Sequence, residues 1–460
     1  MRDSHGANLP RILGIPDEAE RVLVVTESSH WDPNWLLTSE EYYRWRVRRT
    51  LDAAIDELLA EPTRVYSVEC VFFFRLYWER NPHRHEAIRE LVAQRRLRFT
   101  GPGVTTPDTL LPTDEALLRD LAIGQAWLHD HELTQEPEVL YLPDSFGHTP
   151  CLPTLLRAAG LRYACVTRID GMYMDGTDWE PRSKFPRPGS LAERLWSTER
   201  SLDFVWRDPW GSEALAHWHA FTYGQGDLLA GRGISRWMGL PLWVPDRSDR
   251  NVVKKVEHFA QQLTSRSRTR YLCCPIGFDF VNPVHRLSEL IARWNDRHYG
   301  HTGLWLLNAG LDDYFHLIEL HQSELPVIDA DPNPYWTGFY SARPKLKQVH
   351  ARLVDALLAT EVAAAAGGPA MLAATAAELG EPWYVAAVAN HHDFVTGTSP
   401  NRVARREQYP WLDDAGRRVA SVRSRLPDPV PQNAHADVHA TAEGLEERLA
   451  HLALCLIAWE

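Results

Sequence analysis

The chain has no surplus of positive charge. Among its 460 residues, 49 Lys and Arg face 61 Asp and Glu, a formal net charge of −12. A nucleic-acid partner requires a basic footprint to meet its phosphates, so that class is set aside. No stretch reaches the roughly 18 consecutive apolar residues of a membrane-spanning helix, and no membrane association is expected. The segment from Met1 to Pro10 is polar and charged and lacks the apolar core of a secretory signal, so a cytoplasmic protein is the expectation. Cysteine is sparse and unpaired in pattern. Cys70, Cys151, Cys165, Cys273, Cys274 and Cys455 lie in apolar surroundings without a CxxC spacing. They read as buried thiols, not as disulfides or a thiolate metal site. Internal repeats and low-complexity blocks are also missing.

What is present is the composition of a large globular chain, with 44% hydrophobic and 24% charged residues. The length exceeds one ordinary core, so two domains are expected. Residues 1–342 alternate short apolar runs with amphipathic stretches. Arg21–Thr26, Arg64–Val68, Val139–Leu142, Tyr163–Thr167, Arg270–Cys274 and Leu304–Leu307 read as strands. Ser39–Leu59, with Ser39 as cap, and Thr113–Asp130 read as helices. This alternation predicts an α/β domain with a parallel-stranded, barrel-like sheet. The segment from Gly171 to Arg250, rich in Pro, Gly, Trp and Asp, reads as long loops. Residues 343–460 read as a helical bundle built from Lys345–Ala366, Met371–Leu379, Trp383–His391 and Ala442–Trp459, with a proline-rich connector at Leu426–Gln432.

Parallel α/β sheets bind ligands beyond the carboxyl ends of their strands. Three acidic residues follow three predicted strands: Asp32 in SSHWDPNW, Asp144 in LPDSFGHT and Asp279 in CCPIGFDF. His30 and Asp32, two apart, point to one side of an extended segment and make two legs of a metal site. Asp144 and either His391 or His392 would complete a set that suits zinc or a related divalent ion. Each residue also has a plainer assignment: a capped loop histidine for His30, a helix cap for Asp144, an exposed loop carboxylate for Asp279. For the His391–His392 pair the plain assignment is a favourable helix C-terminus. Asp279 lies between Phe278 and Phe280, where desolvation would favour its neutral form. The 18 tryptophans are compatible with a sugar cleft and equally with a large core.

The segments HWDPNW, LPDSFGHT, YWTGFYSARPKLK and HHDFVTGTS occur in this order. Together they resemble the α-mannosidases of glycoside hydrolase family 38, over about residues 22 to 403. LRFTGPGVTTPDTLLPTDEALLRDLAIGQ is similar to the family's connection between the first two motifs. The resemblance implies one Zn2+ ion, or another divalent metal, held by His30, Asp32, Asp144 and His392. It implies Asp144 as nucleophile and Asp279 as general acid/base of a retaining glycosidase, with the two carboxyl groups about 5–5.5 Å apart. It further implies sugar contacts from Trp35, Phe146, Arg168, Tyr223, Trp336 and Asp393. The substrate it implies is an α-mannoside, whose cis 2- and 3-hydroxyls a metal can chelate.

The chain departs from the family pattern at several places. Ser28 stands where the first motif usually has a histidine, Asn34 replaces a glycine, and Gly101-Pro102-Gly103-Val104 lacks a usual tryptophan. These changes spare the metal and acid positions. Family members usually continue into β-sandwich domains that complete the cleft; here either those domains are dispensed with, with aromatics of 171–250 as a substitute wall, or a partner chain or oligomer supplies them, or the chain is a fragment. Two other readings stand beside the main one: a metal-dependent hydrolase of another sugar-like metabolite, and a non-catalytic sugar-binding accessory protein. The pairing of Asp144 with Asp279 argues against the last.

Overall fold

A computed structural model describes residues 8–133, 137–172, 186–234 and 242–427. The expected helix Ala442–Trp459, most of the connector, Trp237 and Cys455 lie outside these residues. Twelve strands are described: β1 (Arg21–Glu27), β2 (Tyr66–Val68), β3 (Leu97–Phe99), β4 (Val139–Leu142), β5 (Tyr163–Val166), β6 (Asp203–Arg207), β7 (Glu213–Trp218), β8 (Gly231–Ile234), β9 (Leu242–Pro245), β10 (Tyr271–Ile276), β11 (Leu304–Asn308) and β12 (Val327–Ile328). They form a parallel sheet β10-β1-β11, a sheet β12-β6-β7-β5-β4, and the pairs β2-β3 and β8-β9. Within the larger sheet β6 and β7 are antiparallel and the other pairs parallel. A mixed α/β domain followed by a helical region is therefore the architecture.

β1 reads Val-Leu-Val-Val, an unbroken apolar run, because both of its faces are covered. Its side chains divide by the period-2 rule. Leu23 and Val25 pack with Leu272, Cys274 and Leu306, whereas Val22 and Val24 pack with Tyr271, Cys273, Cys165 and Tyr314. The parallel strands deliver the segments after β1, β4, β5 and β10 beyond their carboxyl ends.

Three sequence expectations change. The stretch from Gly171 to Arg250 is not all loop: it contains β6 and β7 within the five-strand sheet, and the β8-β9 ribbon. Asp203–Arg207 and Glu213–Trp218 bury Phe204, Trp206, Leu215 and Trp218, so aromatics read as a cleft wall are core residues. Trp210 sits 71% exposed in the β6-β7 turn, where the Asp208 carboxylate accepts from the amides of Trp210 and Ser212. The cap of the first long helical segment is Thr38, one residue before Ser39. Its hydroxyl accepts from the Glu41 amide while the Glu41 carboxylate accepts from the Thr38 amide, a capping box.

The helical region contains Pro344–Ala366, Pro369–Ala389 and Tyr409–Arg423. The second helix runs on through Pro382 where a break was expected. The chain divides into two compact units, residues 1–354 with 383–414 and residues 355–382 with 415–460. The segment His391-His392-Asp393 thus belongs to the unit that holds the strands.

A buried ion cluster ties the end of β1 to the helix Arg48–Ala60. Arg64, fully buried, donates to Glu27 at 2.8 Å, to Glu57 at 3.0 Å and to Glu61 at 2.8 Å. Burial pushes the Glu27 carboxyl up, and Arg64 opposes that shift. Removing one member of such a set strands the other in a dry interior. Arg64→Met is expected to destabilise the fold by about 3–5 kcal/mol, measured by urea denaturation, and Glu27→Gln added to it should restore part of the loss.

Candidate metal and sugar site

The segment after β1 is stitched to the segment after β10. The His30 amide donates to Gly277 O at 3.1 Å and the Phe280 amide to His30 O at 2.9 Å, so His30 and Asp279 occupy paired register positions. Phe280 takes φ +53 and its ring stacks on Tyr42 at 4.3 Å. Gly101 closes the segment after β3 against the same place. A Cβ there would stand 1.8 Å from the Glu69 carbonyl oxygen, which explains glycine at that position.

His30 is fully buried. Its Nδ1 lies 2.9 and 3.0 Å from the two Glu69 oxygens, and Glu69 also receives the Trp31 amide at 2.6 Å. A carboxylate at Nδ1 fixes the proton on that nitrogen and turns the Nε2 lone pair outward. His392 repeats the arrangement. Its Nδ1 lies 2.8 Å from the Thr106 carbonyl, an acceptor only, so Nδ1 carries the proton and Nε2 is free to ligate. His391 is the reverse. Its Nδ1 accepts from the Asp393 amide at 3.0 Å, which leaves the proton of a neutral ring on Nε2.

Around these rings four buried atoms have no hydrogen-bond partner: Nε2 of His30, His391 and His392, and Asp32 Oδ1. The Asp32 oxygen lies 3.0 Å from His30 Nε2, 3.4 Å from His392 Nε2 and 3.9 Å from His391 Nε2. The closest approach lacks the alignment of a hydrogen bond. Orphaned polar atoms that converge in a dry interior are costly unless a further group satisfies them. His30, Asp144 and His392 bring one ligand atom each within 4.8 Å of one another, and Asp32, His391, His392 and Asp393 do the same. This is a candidate cluster for a divalent metal such as Zn2+, with imidazole and carboxylate donors of the expected kind.

The electrostatics agree for His392 and Asp32, whereas at His30 burial is outweighed by Glu69 and Asp32, which raise the imidazole well above its ordinary value. Burial holds His392 in its neutral, ligating form. Burial opposes ionisation of Asp32 too, but the neighbouring imidazoles outweigh it and keep the carboxyl well below its ordinary range. Burial, reinforced by Asp32, pushes Asp393 well up.

The other sequence-predicted residues gather around the cluster with one exception. Arg168 Nε donates to Asp144 Oδ1, and the Arg168 guanidinium lies 4.1 Å from the Trp336 ring centre. Phe146 meets Trp336 at 5.0 Å and His392 at 5.5 Å. Tyr223 lies against His30 at 5.3 Å and donates to Asp279 Oδ1 at 2.8 Å. Asp279 is driven up by burial and by Asp32, while Tyr223 pulls the other way. Asp393 receives Thr398 Oγ1 at 2.5 Å. Trp35 is the exception: it is half-buried just past Asn34, and none of these contacts includes it. Asn34 is buried and receives Ser399 at 2.7 Å and Gln408 at 2.9 Å, so its side chain and carbonyl lock the loop.

The sequence reading missed Glu69. It directly follows β2, the same position relative to its strand that singled out the other acidic residues, so that rule would have found it.

Two family models match the chain: "Glycosyl hydrolases family 38 N-terminal domain" over residues 21–338 and "Alpha mannosidase middle domain" over residues 334–425. Alpha-mannosidase 2 of Drosophila melanogaster is 26% identical over 420 residues, covering 82% of this chain and 36% of that protein. Lysosomal alpha-mannosidase of Cavia porcellus is 28% identical over 438 residues, covering 85% of this chain and 39% of that protein. The chain thus spans well under half the length of these curated relatives. The crystal structure of an alpha-mannosidase from Enterococcus faecalis V583 superposes with a TM-score of 0.69 at 17% identity, covering 88% of this chain and 42% of that one; this likeness establishes the fold.

One expectation is corrected. The resemblance implied a retaining course in which Asp144 is both metal ligand and nucleophile, with Asp279 as general acid/base. In the structure Arg168 engages the Asp144 carboxylate, which also groups with His30 and His392. The family match and the metal cluster give no support to that stereochemical course, which is withdrawn.

The Glu69 contact yields a prediction. Glu69→Gln should weaken zinc binding by about 10–100-fold, because it removes the group that orients His30. His391→Gln should leave zinc affinity nearly intact, whereas His392→Ala should abolish it. Competition with a chromophoric chelator measures all three.

Proposed function

The chain belongs to glycosyl hydrolase family 38, and from that membership we propose that it acts as a metal-dependent glycosidase on α-mannosides. The observation that carries the reading is the convergence of orphaned, fully buried imidazole and carboxylate atoms beside Asp279. His30, Asp32, Asp144 and His392 would hold one zinc ion. When bound, the ion supplies Lewis acidity and a chelation point for the cis 2- and 3-hydroxyls of mannose, which a glucose ring offers less well.

The chain's own residues do the rest. Asp279 exchanges a proton with the glycosidic oxygen. Its burial keeps the carboxyl protonated at higher pH than an exposed aspartate, and Tyr223 holds one oxygen so that the other faces the sugar. The Asp144 carboxylate places negative charge beside the carbon that becomes positive as the bond breaks, and Arg168 fixes its orientation. Phe146 and Trp336 offer an apolar wall, Trp35 a flat face for the ring, and Asp393 an acceptor for a sugar hydroxyl. These roles follow from the chemistry of each side chain and its neighbours.

Two measurements test the reading. Zinc-loaded protein should hydrolyse an aryl α-mannoside, and chelation should abolish this and lower the melting temperature, because the ion stabilises the folded state by mass action. Hydrolysis of other aryl glycosides but not mannosides would move the assignment to another sugar-like substrate, and inertness to all would leave a binding protein. Asp279→Asn should cost alkyl mannosides far more activity than aryl mannosides with good leaving groups, which need little protonation. An equal loss on both would mean that Asp279 is structural.

A further inference from the structure

A second group of metal-type side chains lies inside the domain, on residues that the proposed sugar chemistry does not use. The register of the five-strand sheet sets it up. Asp203 of β6 pairs with His217 of β7, and His217 pairs with Cys165 of β5, so the three form one row across the strands. Directly opposed residues share a sheet face. His219 is two residues beyond His217 and falls on the same side. Cys273 comes from β10 of the other sheet and packs in the same apolar cluster as Cys165. His217, His219 and Cys273 offer one ligand atom each within 4.8 Å of one another, and each residue is at least 97% buried.

The hydrogen bonds leave one nitrogen of each ring without a partner, while Cys273 Sγ lies 3.9 Å from Thr26 Oγ1. His217 Nδ1 is taken by Asp203 at 2.7 Å, and the same Asp203 oxygen receives Tyr314 OH at 2.8 Å. His219 Nε2 is taken by Cys165 Sγ at 3.1 Å. That leaves His217 Nε2 and His219 Nδ1 fully buried with no partner. An ordinary core histidine satisfies both nitrogens; here two rings are anchored on one side and orphaned on the other. A carboxylate behind the ligating imidazole is the usual support of a metal-bound histidine.

We propose that His217, His219 and Cys273 form an interior site for a divalent ion of the zinc type, distinct from the sugar site and bridging the two sheets. Mixed imidazole and thiolate donors select such an ion over calcium or magnesium. On binding, a bond forms from Cys273 Sγ to the ion, and the thiol proton passes to solvent. The ion, the Cys273 thiolate and the Asp203 carboxylate then sum to zero charge, which a dry interior requires. Burial already keeps His219 in its neutral, ligating form. The three ligands are far apart in sequence or lie in an HxH pair, so no cysteine spacing announces them.

Cobalt(II) is the probe. None of the side chains clustered at the sugar site contains sulfur, so a thiolate-to-cobalt charge-transfer band reports the interior site alone. The metal-stripped full chain, titrated with cobalt(II), is expected to develop that band and to take up one equivalent more than the sugar site accounts for. Cys273→Ser should abolish the band and reduce uptake by one equivalent, whereas Cys70→Ser should leave both unchanged. His217→Asn provides a second variant should Cys273→Ser fail to fold. A wild-type chain that binds cobalt without a sulfur band overturns the proposal, as does a band that persists in Cys273→Ser.

Discussion

The position of one proton governs the site. Glu69 lies against Nδ1 of a fully buried His30, so the ring cannot turn and its other nitrogen has nowhere to go but inward. A carboxylate in that place is itself unfavourable, and burial raises the Glu69 pKa, so the pair is tolerable only as a unit. The backbone follows from it. The Trp31 amide bonds to the same carboxylate, and the turn carrying Asp32 starts there. Gly101 is needed because any side chain would collide with the Glu69 main chain. The segment beyond Gly101 supplies the Thr106 carbonyl that orients His392 in the same sense. Two histidines from distant parts of the chain thereby present Nε2 to one point, and their rings stack 5.2 Å apart.

That point was legible in the sequence wherever a rule about strand ends could reach. β1 is an uninterrupted apolar run, so His30 and Asp32 beyond it stood out, and β4 and β10 placed Asp144 and Asp279 by the same logic. Choosing His392 over His391 rested on family resemblance alone. The structure adds a physical reason, the opposite hydrogen bonding of the two Nδ1 atoms, which no spacing encodes because the partners are Thr106 and the Asp393 amide. β6 and β7 were not legible because Pro209, Trp210 and Gly211 between them read as loop, and because Trp206 and Trp218 suit a sugar wall as well as a core. Burial decides that question, and burial depends on strands from elsewhere in the chain. Tyr223 was counted among the same wall aromatics and also matched a sugar-contact position of the family; its hydrogen bond to Asp279 is one that sequence separation hides.

The interior histidine cluster and the proposed sugar site depend on the same strands. β5 carries Cys165 and, just past its end, Arg168. β7 carries His217 and leads into Tyr223. β10 carries Cys273 and leads into Asp279. A change in the spacing of these strands at the level of Cys165, His217 and Cys273 would therefore be felt a few residues later, at Arg168, Tyr223 and Asp279. A site that must hold charged groups in productive geometry needs support that does not give, and apolar packing alone permits small sliding of one sheet over another. Among the described residues the β10-β1-β11 and β12-β6-β7-β5-β4 sheets share no strand pairing. An ion tying β7 to β10 would fix their separation directly, and the proposed interior site then accounts for two orphaned histidine nitrogens in a core that would otherwise have favoured apolar residues in their place.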